Sequence, residues 1–244
     1  MRNVKLTIQY DGTNYSGWQS QKNSVAVQDV LEQAITKLLG EKVRVIGAAR
    51  TDSKVHAACQ VANFRTGSRL PAKNIKNGIN RNLPADIVVA KVEDAGRDFH
   101  SQFDARKKLY RYTIFLGDTV PPFIRNYVAP ISYKLDAAVM RREAKGLVGR
   151  HDFSSFQGAR SERKTTVRKI YRIDIRKNGK ILEFDIEASG FLYNMARTIV
   201  GTLIDIGRGH LGKGSAKRIL KSRDRRMAGI TAPACGLCLM KVKY

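Results

Sequence analysis

"LYRYTIFLG", residues 109–117, decides how this chain is divided. Tyr110, Tyr112, Ile114 and Leu116 alternate with Arg111, Thr113 and Phe115, the two-residue period of a strand with one buried face. The same pattern opens the chain, where Val4, Leu6, Ile8 and Tyr10 alternate with Lys5, Thr7 and Gln9. The segments behind these two strands are also similar. Behind the first come the loop "DGTNYSG" and a helical run of Val27, Val30, Leu31, Ala34, Ile35, Leu38 and Leu39 that Gly40 stops. Strands are then expected over residues 43–46 and 60–64, a short helix around Ile75 and Ile79, and a strand over residues 87–92. Behind the second come a Pro-containing loop and a helix from Asp136 carrying Met140, Ala144, Leu147 and Val148. A hairpin over residues 167–175 and 181–186 turns at Asn178-Gly179, and a long helix over residues 192–206 ends at Gly207. Strand, loop, helix and strand pair thus occur twice. The expectation is an α+β fold of two similar halves, residues 1–105 and 106–244. Each is a mainly antiparallel sheet with helices on one face, and the active-site cleft lies between them.

Charge sets the class of partner. There are 45 Lys and Arg against 21 Asp and Glu, a net charge of +24. Such an excess favours a polyanion, because each phosphate contact releases counterions. A membrane surface is the competing partner, but no Lys-rich amphipathic helix or lipidation signal stands in the sequence, and the N-terminal stretch alternates instead of running apolar. No membrane association is expected. Three cysteines, an odd number in 244 residues, point to a reducing cytosol, hence a cytoplasmic protein. Basic residues cluster twice: residues 160–177 hold eight Lys and Arg against two acids, and residues 208–226 hold eight against one. Two such runs in one half of a basic chain favour an RNA-tracking surface.

Several motifs carry less than they suggest. "GRGHLG", residues 207–212, fits a dinucleotide fingerprint, and "GRGHLGKG" misses a phosphate-binding loop at Gly214 alone. Both motifs require a preceding strand, and here a helix precedes, so the glycines read as a helix end and a turn. "CGLC", residues 235–238, lacks the partners that a zinc site needs, and in a strand its two cysteines face opposite ways. No metal site is expected. No Ser elbow and no H-E-x-x-H stands in the chain.

"AARTDSKVHAACQ", residues 48–60, is the connection richest in chemistry. A lone Asp in such a loop ordinarily folds back on its own backbone. Asp52, however, lies among Arg50, Lys54 and His56, which favour its ionised form, and an ionised, positioned carboxylate can act as a nucleophile. The alternative is that Arg50 is the working residue and Asp52 orients it. Arg197 sits among Phe191, Met195, Ile199 and Val200, where a guanidinium needs a partner, and Asp52 is one candidate.

At these residues the chain resembles the TruA-type tRNA pseudouridine synthases. "YDGTNYSGWQSQ" is similar to the family's opening strand and loop, and "ARTDSKVHA" to its nucleophile loop, G-R-T-D-x-G-V-H-A. "INRNLPADI", "DFHSQFDARKKLYRYTI", "HDFSSF", "FLYNMARTIVGTLIDIGRG" and "TAPACGLCLMKVKY" come next in the family's order. The resemblance implies isomerisation of uridine to pseudouridine in the tRNA anticodon stem-loop, at positions 38 to 40, by a homodimer without cofactor or metal. It implies that Asp52 is the nucleophile, attacking the uracil ring or the sugar C1′. Tyr110 would stack on the uracil and assist loss of the C5 proton, and Arg197 would pair with the aspartate. Arg50 would stand near the flipped base, and Leu237 would pack beside the uracil. Lys54 and His56 complete the expected substrate-binding set. Ala49 and Lys54 depart from the family's glycines, and at residue 54 the glycine serves a positive φ that Lys adopts at a cost. Lys54 offers a phosphate contact in exchange. A non-catalytic RNA-binding protein of the same fold, such as a tRNA chaperone, is the alternative function.

Overall fold

Strand β1, Arg2–Tyr10, buries Val4, Leu6 and Ile8 completely, as the alternation requires. The structure is a computed structural model that describes residues 1–158 and 165–244. They divide into two units, Met1–Arg106 with Leu239–Tyr244, and Lys107–Cys238.

In the first unit β1 is followed by α1 (Val27–Leu39), β2 (Ile46–Gly47), β3 (His56–Thr66), α2 (Ala72–Asn82) and β4 (Ile87–Ala95). β1 pairs antiparallel with β3 on one side and β4 on the other. Helix α1 buries Val27, Leu31, Ala34 and Ile35, and Gly40 ends it at φ 71°. Ala26 offers no side-chain cap, but the Asp29 carboxylate accepts the Ala26 N–H at 3.1 Å, the returning half of a capping box. Helix α2 buries Ile75 and Ile79 and packs against α1 and β4.

The strand expected over residues 43–46 is Ile46–Gly47 alone. Side chains from α1 intercept the backbone ahead of it. Val45 N–H donates to Glu32 Oε1 at 2.9 Å, and Val45 C=O accepts from Gln28 Nε2 at 3.1 Å. With both groups satisfied, no ladder forms there.

The second unit carries β5 (Lys107–Leu116), β6 (Ala129–Ile131), α3 (Ala137–Ala144), β7 (Gly149–Asp152), β8 (Val167–Asn178), β9 (Ile181–Ala188), α4 (Met195–Gly207) and α5 (Ser215–Ser222). Strand β10, Leu237–Lys243, begins here and from Leu239 onward belongs to the first unit, where it lies beside β3. The second unit's order is β5-β9-β8-β7, antiparallel throughout, with β6 added parallel to β5. Asp136 caps α3 by accepting from Ala138 N and Val139 N at 2.9 and 3.0 Å. The hairpin is shifted by one residue from the expected turn. Asn178 still pairs with Ile181, and Gly179, at φ 55°, takes the first central position. Helix α4 starts three residues later than its apolar pattern, because Asn194 adopts φ 59° and breaks the run at Leu192 and Tyr193.

Leu182, Phe184 and Ile186 of β9 are buried in the unit's core, so Glu183, Asp185 and Glu187 project from the opposite face. Arg111 of β5 lies directly across from Asp185. It donates from Nε to Oδ1 at 2.8 Å and from Nη2 to Oδ2 at 2.9 Å, and Arg176 of β8 adds a bond to Oδ2 at 2.5 Å. Burial pushes the Asp185 carboxyl up, but the two guanidiniums outweigh it and hold it below the usual carboxylate range. A carboxyl depressed in the folded state stabilises the fold above its unfolded pKa, about 3.9, and loses that contribution as pH falls through the folded value. Urea unfolding of the wild type is expected to weaken below about pH 4 for this reason. Asp185→Asn is expected to be about 2 kcal/mol less stable at pH 7, the two arginines being partly exposed, and to lack this share of the acid loss. Identical pH slopes for the two proteins would contradict this assignment.

Candidate functional site

The connection between β2 and β3, residues 48–55, is held at several points by other parts of the first unit. Ala48 N–H continues the ladder to Val61 O at 2.7 Å. Gln60, fully buried, then clasps the Ala49 backbone, accepting from its N–H at 3.2 Å and donating to its C=O at 2.7 Å. Arg50 emerges exposed. Thr51 is buried, its hydroxyl 2.7 Å from Tyr10 Oη, and its carbonyl accepts from Trp18 N at 3.1 Å. Asp52 is half-buried and opens a turn closed by Val55 N–H on its carbonyl at 3.2 Å. Lys54 N–H and Ser53 Oγ both donate to Tyr15 O at 3.2 Å.

The partner in this clasp is the loop after β1, residues 11–18. Two glycines let the two backbones meet. A Cβ on Gly12 would stand 2.1 Å from Val55 O, and one on Gly17, itself at φ 103°, would stand 2.4 Å from Thr51 O. Trp18 and Tyr15 root the loop, at 1% and 7% exposure. The Tyr15 hydroxyl donates to Asp86 Oδ1 at 2.6 Å, and burial together with that carboxylate pushes the phenol far up. His56, the first residue of β3, is buried, with Nδ1 3.1 Å from both Gly12 N and Asp11 Oδ1. A bare Nδ1 accepts from Gly12, and a protonated one donates to Asp11, so in either form the ring holds the base of the loop. Apart from His56, these fastening residues were missed as functional by sequence reasoning. Their signal was the pair of glycines in "DGTNYSGW".

Lys54 has φ 64°. It is the residue that replaces glycine in the loop motif, and it keeps the glycine conformation.

The remaining candidates lie in the second unit. Tyr110, on β5, is 6% exposed and meets the Phe191 ring edge-on at 4.9 Å. Arg197, in the first turn of α4, donates from Nε to Ala232 O at 2.7 Å and from Nη1 to Asn194 Oδ1 at 3.0 Å. The αL conformation of Asn194, which delays the helix, also aims its amide oxygen at that guanidinium. Leu237 is buried at the head of β10. Arg50, Asp52 and Lys54 therefore share one short connection with His56 at the start of the strand behind it, while Tyr110, Arg197 and Leu237 come from three elements of the other unit.

The glycine motif resolves as a helix end and a turn. Gly209 and Gly214 have φ 80° and 79°, and the motif comes after α4, a helix. The N-terminus of α5 is filled from within: Glu143 of α3 accepts from Gly214 N at 2.8 Å and Ala216 N at 3.2 Å. A carboxylate stands where a nucleotide phosphate would need to be. In the "CGLC" motif, Cys235 Sγ donates to Val128 O at 3.4 Å. Among the described residues, no group of three or more His, Cys, Asp and Glu could hold a metal ion, and no helix is long and apolar enough to cross a membrane.

The basic runs are partly spent on the fold. Residues 160–164 of the first run lie outside the described residues. In the second, Arg208 pairs with Asp205 at 2.7 Å, Arg226 with Asp224 at 2.7 Å and Arg223 with Asp152 at 3.4 Å. Lys213, Lys217 and Lys221 are exposed, with no carboxylate within ion-pair distance among the described residues.

A family model described as tRNA pseudouridine synthase matches residues 6–104 and 144–244. The chain is 48% identical over 244 residues to "tRNA pseudouridine synthase A" of Thermoanaerobacter sp. (strain X514), covering 100% of both chains. It is equally similar, at 48% over the full length of both, to the protein of that name from Acetivibrio thermocellus, and 45% identical to "tRNA pseudouridine synthase A 2" of Clostridium perfringens, again over 100% of each. Likeness to solved structures is distant. The archaeal box H/ACA sRNP Nop10-Cbf5 complex matches at 13% identity and a TM-score of 0.35, over 83% of this chain and 44% of that one, so family membership rests on the sequence matches.

A left-handed backbone costs a Lys about 1 kcal/mol, and glycine gives back part of that gain through its freer unfolded chain. Lys54→Gly is therefore expected to raise stability by about 0.5 kcal/mol, and Lys54→Val, which is β-branched, to lower it by about 1 kcal/mol or more. The order Gly, Lys, Val in urea midpoints checks this. A glycine variant less stable than wild type would contradict the conformational demand.

Proposed function

The chain belongs to the tRNA pseudouridine synthase family, and on that premise we propose that Asp52 is the nucleophile with which it isomerises uridine to pseudouridine. The observation that supports this role most is the fastening of the β2–β3 connection. Its backbone is tied to neighbouring segments at Ala48, Ala49, Thr51 and Lys54 and closed on itself from Asp52 to Val55, yet the Asp52 residue remains half-buried at the turn, and Arg50 and Lys54 are exposed on either side. A carboxylate presented on a loop that cannot relax needs little reorganisation to attack.

The reaction breaks the bond between uracil N1 and ribose C1′ and makes one between uracil C5 and C1′. The C5 proton leaves, and N1 regains one. Asp52 bonds transiently to the uracil ring or to C1′ and departs when the new bond forms. Tyr110 stacks on the uracil and takes part in removing the C5 proton, with Phe191 bracing its ring at 4.9 Å. Arg197 neutralises the aspartate, its orientation set by Ala232 O and Asn194 Oδ1. Leu237 packs beside the base. Arg50 fills the gap that the flipped nucleotide leaves in the stack. Lys54 contacts a phosphate. His56 serves the substrate through the loop that it holds.

The substrate in this reading is the tRNA anticodon stem-loop at positions 38 to 40, bound by a homodimer in the cytoplasm. Folded RNA is followed by its backbone and shape, which suits exposed lysines such as Lys213, Lys217 and Lys221.

Transfer RNA carrying tritium at uridine C5 tests the proposal directly. Wild type is expected to release tritium. Asp52→Ala is expected to lose about a thousandfold or more of that rate, as for removal of other nucleophiles, and to bind tRNA within about threefold of wild type. Undiminished release from Asp52→Ala would exclude this residue as the nucleophile.

A further inference from the structure

The loop between β4 and β5 holds an aromatic pair that the isomerisation does not use. The Phe103 ring is 77% exposed and stacks on the His100 imidazole, centroids 4.2 Å apart and planes 24° apart. Exposed apolar side chains are common on mobile tips. This one stands on a loop fixed from many directions. His100 Nδ1 accepts from Gln102 N and Phe103 N, both at 3.2 Å, which fixes the ring plane and leaves its proton on Nε2. Asp104 accepts from His100 N at 2.9 Å and returns its own N–H to His100 O at 3.0 Å. Beneath, buried Asn3 donates to Gly96 O and Phe99 O at 3.0 and 2.8 Å, and buried Asn63 accepts from Ser101 N at 2.9 Å. Ser101, without exposed surface, donates from Oγ to Ile46 O at 2.5 Å, so the loop is tied to the strand that leads into residues 48–55. The ordering cost of a flat apolar surface has thus been met in the free protein, which favours a ligand that lies flat against it.

We propose that Phe103, backed by His100, is a stacking platform for one unpaired base of the RNA substrate, outside the residues that act on the target uridine. The inference rests on tRNA being the substrate. The surroundings suit that occupant: Arg65, Arg97 and Arg106 are exposed in the same unit, Arg65 being tied to the loop through Arg97 O at 3.3 Å. The carboxylate closest in the chain, that of Asp104, is occupied by His100 N. A base presents a π-face whatever its sequence, and arginines serve the adjoining phosphates.

Three variants separate stacking from other contacts: Phe103→Ala, Phe103→Leu and Phe103→Trp, each assayed for tRNA affinity, tritium release and thermal unfolding. The Ala and Leu variants are expected to bind tRNA about tenfold more weakly than wild type. The Trp variant is expected to bind like wild type and to lose indole fluorescence when tRNA is added, against the steady signal of Trp18, which is 1% exposed. Melting temperatures should not change. Equal affinity of all variants in an active wild-type background would overturn the platform alone, as would a Leu variant that binds like wild type. A Phe103→Ala protein whose oligomeric state changes without RNA would show the ring to be a contact between copies of the chain, and the proposal would fall. A wild type that neither binds tRNA nor releases tritium would remove the substrate reading and the platform with it.

Discussion

Two short backbone segments lying against each other govern the first unit of this protein. Residues 11–18 and 51–55 share hydrogen bonds from Trp18 N to Thr51 O and from Lys54 N to Tyr15 O, at 3.1 and 3.2 Å. Such an approach leaves no space for side chains at the crossing, and Gly12 and Gly17 satisfy that condition. The surrounding residues serve the same crossing. Trp18 and Tyr15 anchor one segment in the core, Gln60 and Thr51 anchor the other, and His56 bonds across their base. Buried polar groups that are fully paired fix one arrangement and exclude others. The stiffness of the Asp52 loop is therefore a property of two distant stretches of sequence acting together.

The parts of the fold that were legible in the sequence were those where a single period dominates. β1 and β5 read directly from alternation, and α1 from its apolar face and Gly40. The failures have local causes. Val45 has the composition of a strand, but Glu32 and Gln28 claim its backbone, and no pattern reports a side chain reaching back from a helix. Leu192 fits the apolar run of α4, yet Asn194 breaks it, a residue type that tolerates αL and also supplies an acceptor to Arg197. The candidate site was readable from the crowding of Arg50, Asp52, Lys54 and His56, and from the resemblance to the family's motif. Its support was not, because glycine does not announce which backbone it will meet.

The charge of +24 overstates what is free to meet RNA. Arg111 and Arg176 hold Asp185 on the sheet, Arg208 holds Asp205, and Arg225 is turned toward Ala228 O and Gly229 O at 3.4 and 3.0 Å. Arginine, with a planar fork of donors, is drawn into such contacts, and lysine is left at the surface. The second basic run accordingly contributes lysines on and beside α5. Glu143, the nearby acid, is directed at the helix N-terminus, where its charge complements the dipole.

Strand β10 and Tyr244 complete the first unit from far along the chain. Arg106 N–H donates to Lys243 O at 2.8 Å, Tyr244 Oη donates to Ser101 O at 2.9 Å, and the Phe99 and Tyr244 rings meet at 5.0 Å. Burial pushes the Tyr244 phenol up, as expected of a group sealed into a core. During synthesis the ribosome makes β1 long before β10, so the sheet that carries the Asp52 loop stays open along β3 while the whole second unit is being made. A nascent chain that has not reached β10 is thus left without a closed first unit.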